Sequence, residues 1–152
     1  MKTLMKNCDI VASGSSGFYV LKNAFCGIDN DTIYYLGETE PKESYDYVKD
    51  MGGKVLFPGL INTHCHAAMT LFRGFADDKP LHEWLTNYIW PMEAKLTPKD
   101  VETGSRLAVL EMIKSGTVFF ADMYYMREET MKVVEEMGIR ANIGVTIADA
   151  IM

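Results

Sequence analysis

The first third of the chain, up to about Phe57, alternates short apolar runs with turn residues. The runs are TLMKNCDIVAS, GFYVLKNAFCGI and TIYYLG, and the turns between them are GSSG at 14–17 and DND at 29–31. Several short strands at this spacing predict a small antiparallel sheet or part of a β-sandwich. A segment of about 55 residues is marginal for an independent core. We therefore expect residues 1–57 to form an incomplete β-sandwich domain.

From residue 58 the pattern predicts strands that alternate with helices. Val55–Phe57 and Leu60–Thr63 are brief apolar strands on either side of the Pro58-Gly59 turn, and PLHEWLTNYIWP (80–91) predicts a short helix stopped by Pro91. The next helix starts at Thr97, a natural N-cap followed by a proline, and it ends at Gly116. Asp100, three residues after the cap, suggests a capping box, and a predicted apolar stripe contains Val101, Ser105, Ala108 and Met112, flanked by Val109 and Ile113.

Two further strands and one helix complete this part of the pattern. TVFFADM (117–123) is almost continuously apolar, as expected of a strand buried on both faces, and IRANIGVTI (139–147) predicts another strand. Between them, REETMKVVEEMG (127–138) predicts a helix that closes at Gly138. Alternation of strand and helix predicts an α/β fold with a parallel sheet and right-handed crossovers. A complete (β/α)₈ barrel takes about 250 residues, so the pattern fits part of a barrel or an unusual small α/β fold.

Composition and charge narrow the class of protein. A net charge of −6 and a pI near 5.0, with no run of basic residues, argue against nucleic acid and against anionic membranes as partners. No apolar run approaches the roughly 20 residues of a membrane span, and the N-terminal run is too short for a signal peptide. Cys8, Cys26 and Cys65 show no paired spacing, which predicts reduced thiols in a cytoplasmic protein.

The string His64-Cys65-His66 is the strongest candidate for chemistry in the chain. On a strand, the two histidines point to one face and Cys65 to the other. Their Cα atoms are then about 6.5–7 Å apart, which lets both rings bind one cation. The pair also follows an apolar strand, at the end where parallel α/β folds place their sites. A Cys65 nucleophile is the weaker hypothesis, because neighbouring strand residues diverge.

A catalytic zinc usually has three protein ligands and a water molecule, so two histidines leave the metal site incomplete. His82 is a candidate third imidazole, although a helix histidine without a partner four residues away is more often simply exposed. Asp122, at the end of a strand, is a candidate ligand or a hydrogen-bond partner of the ligands. We expect Asp122 to be structural rather than catalytic.

Five motifs follow one another along the chain: PGLINTHCH, LFRG, EWL, IWPMEAKLTP and SGTVFFADMY. Through these motifs the sequence resembles the amidohydrolase superfamily along essentially its whole length. They look most like the deaminases of 5′-methylthioadenosine and S-adenosylhomocysteine and their chlorohydrolase-type relatives. The resemblance implies that 58–152 form the first third of a metal-dependent hydrolase barrel, of the (β/α)₈ TIM type, and that 1–57 are the first part of a β-sandwich.

The resemblance also implies roles for individual residues. His64 and His66 match two ligands of one divalent metal ion, usually zinc, and Glu93 matches a glutamate that binds nucleoside ribose hydroxyls. Trp84 is a further candidate for the substrate pocket. The other ligands and the proton-transfer groups of the family would lie beyond Met152, so no catalytic residue is identified in this chain. Val145 stands near the position where the family often has a substrate-binding arginine, which leaves another purine, a pterin or a triazine open as substrate.

The expected reaction is hydrolytic deamination of an adenine nucleoside by metal-bound hydroxide. A bound metal lowers the pKa of its water toward about 7, and the hydroxide adds to the ring carbon that carries the amine. The chain would carry only part of this site and, alone, would be inactive. Two alternatives stay open: a non-catalytic module that needs a separate C-terminal partner, and an unusual local site completed by His82 or Asp122. A homo-oligomer is also open.

Overall fold

The computed structural model describes residues 1–147 and has a mixed α/β structure. The chain divides into two compact units, Met1–Pro58 and a second unit that begins at Gly59. Residues 148–152, the end of the predicted barrel segment, lie outside the described residues. Within 1–147, no helix is both long enough and apolar enough to cross a membrane.

The first unit contains the strands that the N-terminal pattern predicts, and they are longer than its apolar runs. β1 (Lys2–Gly14), β2 (Gly17–Asp29) and β3 (Thr32–Gly37) form consecutive antiparallel hairpins. Breaks in the β1–β2 register, near Asn7 and Asn23, divide the long strands. Both asparagines have positive φ, 61° and 45°, a conformation that asparagine tolerates better than most residues.

The sheet of the first unit is mixed rather than wholly antiparallel, so that part of the prediction was wrong. β4 (Tyr47–Asp50) and β5 (Val55–Leu56) both pair with β1 in parallel. The pattern missed β4 because its four residues are short and all exposed. The side chains that pack together in the core of this sheet are those of Cys8, Ile10, Ala24 and Cys26.

The second unit is built on a parallel sheet of three strands in the order β6, β7, β8. Its strands are β6 (Leu60–Cys65), β7 (Thr117–Met123) and β8 (Arg140–Gly144). α3 (Pro98–Lys114) connects β6 to β7, and α4 (Arg127–Met137) connects β7 to β8. The core between helices and sheet contains Ala108 and Val109 of α3, Phe120 of β7 and Val133 of α4, together with Ala67 and Ile139.

The signals that marked α3 in the sequence are confirmed. The Thr97 side chain accepts a hydrogen bond from the Asp100 N–H, and the Asp100 carboxylate accepts one from the Thr97 N–H at 2.8 Å. Gly116 follows the helix with φ of 85°, as a left-handed end requires. Ile113, predicted beside the buried stripe, is 45% exposed.

Pro91 does not stop the helix before it, contrary to the prediction. α1 (Leu81–Trp84) continues through a π-helical turn, Leu85–Ile89, into α2 (Trp90–Glu93). The Trp90 N–H bonds to the Leu85 carbonyl, five residues back. Proline lacks an N–H and crowds the carbonyl four residues before it. Pro91 lies in the first turn of α2, directly after the widened π turn, which is where a helix tolerates proline best.

β7 is not buried on both faces, as its apolar sequence had predicted. Val118 is 49% exposed and Met123 is 46% exposed, whereas Phe120 is fully buried. α3 and α4 cover one face of the three-stranded sheet. On the face opposite Phe120, Phe119 and Ala121 are only partly buried and Met123 is exposed.

Gly104 of α3 generates the first testable prediction. A Cβ at this position would lie 2.5 Å from the Ala68 carbonyl oxygen and 3.0 Å from the Ala68 Cα. Because the obstacle is backbone, we expect Gly104→Ala to lower the free energy of unfolding by about 1–3 kcal/mol, despite a gain of about 1 kcal/mol in helix propensity. Urea denaturation measures the change.

Gly144→Ala is the matched control for Gly104→Ala. Its added Cβ would meet the Asp122 carbonyl oxygen at 3.5 Å, an ordinary contact, and its φ is not positive. We expect no loss of stability at Gly144. Equal stability of the two variants would contradict the tight packing inferred for Gly104.

Candidate functional site

The two histidines of the His-Cys-His string lie side by side at the carboxyl end of β6. Their ring centroids are 5.0 Å apart and the ring planes make an angle of 82°. Cys65, between them, packs instead against the core beneath the sheet. Strand alternation thus separates the thiol from the imidazoles, as the sequence predicts.

The hydrogen bond of His66 defines which of its ring nitrogens is free. Nδ1 lies 2.6 Å from the backbone carbonyl oxygen of Met123, at the end of β7. Because a carbonyl oxygen only accepts, Nδ1 must carry the proton and donate. A neutral His66 therefore keeps its lone pair on Nε2. Metal-binding histidines commonly have this arrangement, in which a backbone carbonyl orients the ring.

The thiol of Cys65 is poorly suited to nucleophilic chemistry. Burial, together with the neighbouring carboxyl of Asp122, raises the pKa of Cys65 to about 12. The reactive species of cysteine is the thiolate, which is scarce at neutral pH under these conditions. This supports the packing role over the nucleophile hypothesis.

Asp122 joins β7 to the segment that follows the histidines. Its side chain is 3% exposed, and Oδ1 accepts a hydrogen bond from the Ala67 N–H at 2.7 Å. Oδ2 is the only buried side-chain nitrogen or oxygen within 1–147 that lacks a hydrogen-bond partner. Burial raises the pKa of Asp122, while the hydrogen bond from Ala67 and the charge of nearby His66 oppose the rise. The bond to Ala67 gives Asp122 a structural contact.

The described residues do not complete a metal site by themselves. In the part of the chain from 1 to 147, no three His, Cys, Asp or Glu side chains come close enough together to hold one ion. His82 is exposed in α1 and is not among the residues that line the pocket beside His66. The hypothesis that His82 or Asp122 finishes a local site is therefore not supported.

A cavity of about 230 Å³ lies beside His66 and contains the other predicted site residues. Trp84 and Glu93 both line it, on the helical segment that passes through the π turn. Five residues in an α-helix rotate about 140° beyond a full turn, whereas π-helical bonding nearly closes the turn over five residues. The π turn thus places Trp84 and Ile89, five apart, on the side of the cavity. The remaining lining residues are Met69, Leu85, Trp90, Met123, Tyr124, Tyr125 and Thr146.

Glu93 accepts a hydrogen bond from Tyr124 that the sequence analysis did not predict. The Tyr124 hydroxyl donates to Glu93 Oε1 at 2.8 Å. Burial raises the pKa of Glu93, while this hydrogen bond and the charge of nearby His66 oppose the rise. Tyr124 directly follows β7, on the same edge as His66, and that end-of-strand position is the signal that could have identified it.

Asp122 generates the second testable prediction. Asp122→Ala removes the acceptor of the buried Ala67 N–H and leaves a void, so we expect the free energy of unfolding to fall by about 2–4 kcal/mol. Asp122→Asn keeps an acceptor oxygen and should lose about 1 kcal/mol or less. Urea denaturation of both variants makes the measurement. A similar loss in both would show that the bond to Ala67 is not what stabilises this junction.

The chain is similar to the amidohydrolase family and to proteins named as nucleoside deaminases. The model of the amidohydrolase family matches residues 55–150. A 5-methylthioadenosine/S-adenosylhomocysteine deaminase of Dictyoglomus turgidum is 48% identical over 145 residues, which cover 95% of this chain and 33% of that protein. A 5′-deoxyadenosine deaminase of Methanosarcina acetivorans is 56% identical over 123 residues, 81% of this chain and 28% of that protein. The chain spans about a third of the length of these relatives.

Solved structures give the same fold. An adenosine deaminase from Xanthomonas campestris with bound zinc aligns with a TM-score of 0.85 and 31% identity, over 91% of this chain and 32% of that one. An atrazine chlorohydrolase from Arthrobacter aurescens complexed with zinc aligns with a TM-score of 0.86, over 99% of this chain and 39% of that one; at 19% identity it supports the fold alone. The family model covers well over half of the residues, and this chain belongs to the amidohydrolase family.

Proposed function

We propose that this chain is part of a zinc-dependent enzyme that hydrolytically deaminates an adenine nucleoside. One observation carries the proposal: His66, Glu93 and Trp84, the candidates that the sequence and its family resemblance indicate, line a single cavity. That cavity lies at the carboxyl ends of β6 and β7, where parallel α/β folds bind their ligands. The names of the relatives at 44–56% identity point to adenine nucleosides.

The architecture that we propose for the two units follows from the same family. Residues 58–152 supply the first third of a (β/α)₈ barrel, and 1–57 supply part of a β-sandwich. Two features support this: the parallel order β6, β7, β8 with α3 and α4 on one face, and the alignment with the zinc-containing enzymes over more than 90% of this chain.

His64 and His66 are the residues that we propose as metal ligands. The fit is chemically good: the two imidazoles lie side by side, and the hydrogen bond from Nδ1 to the Met123 carbonyl leaves the lone pair of a neutral His66 on Nε2. The fit is also partial, because a catalytic zinc normally has three protein ligands. The missing ligands come from residues outside 1–147 or from a complementing segment. When bound, zinc supplies Lewis-acid activation of water for attack on the purine ring.

Glu93 and Trp84 are the residues that we propose for the nucleoside. The Glu93 carboxylate accepts hydrogen bonds from the ribose hydroxyls, since a carboxylate offers two acceptor oxygens. Trp84 provides an apolar surface for the purine in a cavity lined mostly by apolar and aromatic side chains. These walls exclude water from around the base, which strengthens the polar contacts that remain.

The alternative to an adenine nucleoside is a triazine, a pterin or another purine as substrate. The likeness to triazine hydrolases is at 19–21% identity and supports a common fold only. Val145 lies outside the residues that line the cavity and is 61% exposed, so the part of the substrate beyond the ribose is not defined by it.

We place the enzyme in the cytoplasm because Cys8, Cys26 and Cys65 are all free thiols.

Zinc binding tests the metal assignment. The chain has three histidines, so His82→Ala is a matched control for His64→Ala and His66→Ala. We expect each of the latter two to weaken zinc affinity by more than about tenfold, because loss of a residue that merely supports a ligand already costs about 10- to 100-fold, and we expect His82→Ala to leave the affinity unchanged. Calorimetric titration with zinc measures the affinities. Equal loss in all three variants would contradict the assignment.

Nucleoside binding tests the role of Glu93. Both tryptophans of the chain, Trp84 and Trp90, line the cavity, so tryptophan fluorescence reports its occupation. Adenosine and 2′,3′-dideoxyadenosine differ only in the two ribose hydroxyls. We expect Glu93→Gln to weaken adenosine binding by about tenfold, or 1.4 kcal/mol, and to leave dideoxyadenosine binding unchanged. Glu83→Gln, in α1 but outside the cavity lining, is the control.

Deamination itself requires the complete site. Fusing the chain to the part of the Dictyoglomus turgidum relative that it does not cover supplies that remainder. The fusion should release ammonia from adenosine or 5′-deoxyadenosine, and the chain alone should not. A fusion that binds zinc and nucleoside but releases no ammonia would overturn the assignment to deamination.

A further inference from the structure

The Glu93 carboxylate is held by one hydrogen bond from a buried tyrosine. Tyr124 is 4% exposed, and its hydroxyl donates to Glu93 Oε1 at 2.8 Å. Within residues 1–147 no Lys, Arg or His forms an ion pair with Glu93. The hydroxyl of Tyr124 is therefore the contact that selects the orientation of this side chain.

Tyr124 is itself fixed from several sides. Its ring packs with the fully buried Ala68 and Val101. It lies 5.4 Å from the ring of Tyr125 and 6.3 Å from that of His66, between centroids. A tyrosine packed in this way has a single side-chain orientation, so its hydroxyl is a rigid reference point for the carboxylate.

The hydrogen bond occupies one side of the carboxylate and leaves the other available. Oε1 is engaged by Tyr124, whereas Oε2 has no hydrogen-bond partner within 1–147. Oε2 is also not among the buried atoms without a partner, so it is accessible to a ligand. A carboxylate without this bond would rotate and would lose entropy on binding the ribose.

We propose that Tyr124 is a positioning residue for ribose recognition, which orients Glu93 so that Oε2 faces the 2′- and 3′-hydroxyls of the nucleoside. The inference rests on the proposed function, because it presupposes that Glu93 binds the ribose. Tyr124 acts through Glu93 and makes no contact with the reacting carbon. Tyr124 directly follows β7, whose Met123 carbonyl orients His66, and its hydroxyl bonds to Glu93 of α2. Tyr124 therefore fixes the position of the ribose contact with respect to the metal end of the cavity.

Tyr124→Phe removes the hydroxyl and keeps the ring, so the packing is preserved. We expect the dissociation constant for adenosine, measured by tryptophan fluorescence, to rise about tenfold. The dissociation constant for 2′,3′-dideoxyadenosine should stay within about twofold, which also shows that the cavity remains folded. In the Tyr124→Phe/Glu93→Gln double variant the two effects should not add, since both remove the same oriented contact.

Tyr88→Phe is the matched control, because it removes a hydroxyl from the π turn before Glu93, outside the cavity lining. We expect it to bind both nucleosides like the unchanged protein. If Tyr124→Phe still prefers adenosine as strongly as the unchanged protein does, the inference fails while the proposed function stands. If it weakens both nucleosides equally, Tyr124 is merely structural. If the unchanged protein does not distinguish the two nucleosides, the ribose contact of Glu93 fails, and the inference with it.

Discussion

The hydrogen bond between the buried Asp122 carboxylate and the Ala67 N–H is the interaction on which the candidate site depends. β6 ends at Cys65, and the chain must turn there without leaving a backbone donor unpaired beneath the sheet. Asp122 satisfies that donor from the neighbouring strand. The same turn brings His66 to the Met123 carbonyl, so one strand end orients both the backbone and the imidazole of the other.

The π turn in the helical segment before α3 affects which side chains of that segment line the cavity. Trp84 and Glu93 must face the same cavity although Pro91 lies between them. A regular α-helix would rotate Trp84 and Ile89, which are five apart and both line the cavity, to different sides, and it would place the proline ring against a carbonyl. The π turn over Leu85–Ile89 removes both difficulties at the cost of a less regular hydrogen-bond ladder. Such turns are frequent at functional sites, and here the consequence is a cavity wall.

The lining of the cavity contains both an imidazole and a carboxylate. His66 lies beside the exposed His64, and Glu93 lies in another part of the lining. Tyr124 spans the two, with its ring near His66 and its hydroxyl on Glu93. One buried side chain therefore connects the imidazole and the carboxylate of the cavity.

Local sequence determined the elements whose signals are complete within a few residues. The capping box at Thr97, the left-handed Gly116 and the alternation that separates Cys65 from the histidines are all decided by short-range sterics and hydrogen bonding. Only the tertiary structure decided the rest. The parallel pairing of β4 and β5 with β1 joins residues 44 to 46 positions apart, and the bond from Tyr124 to Glu93 joins residues 31 positions apart. The π turn before Pro91 joins residues only five apart, but it too departs from the local pattern. Their partners are selected by packing across the fold, which no local pattern of apolar and polar residues encodes.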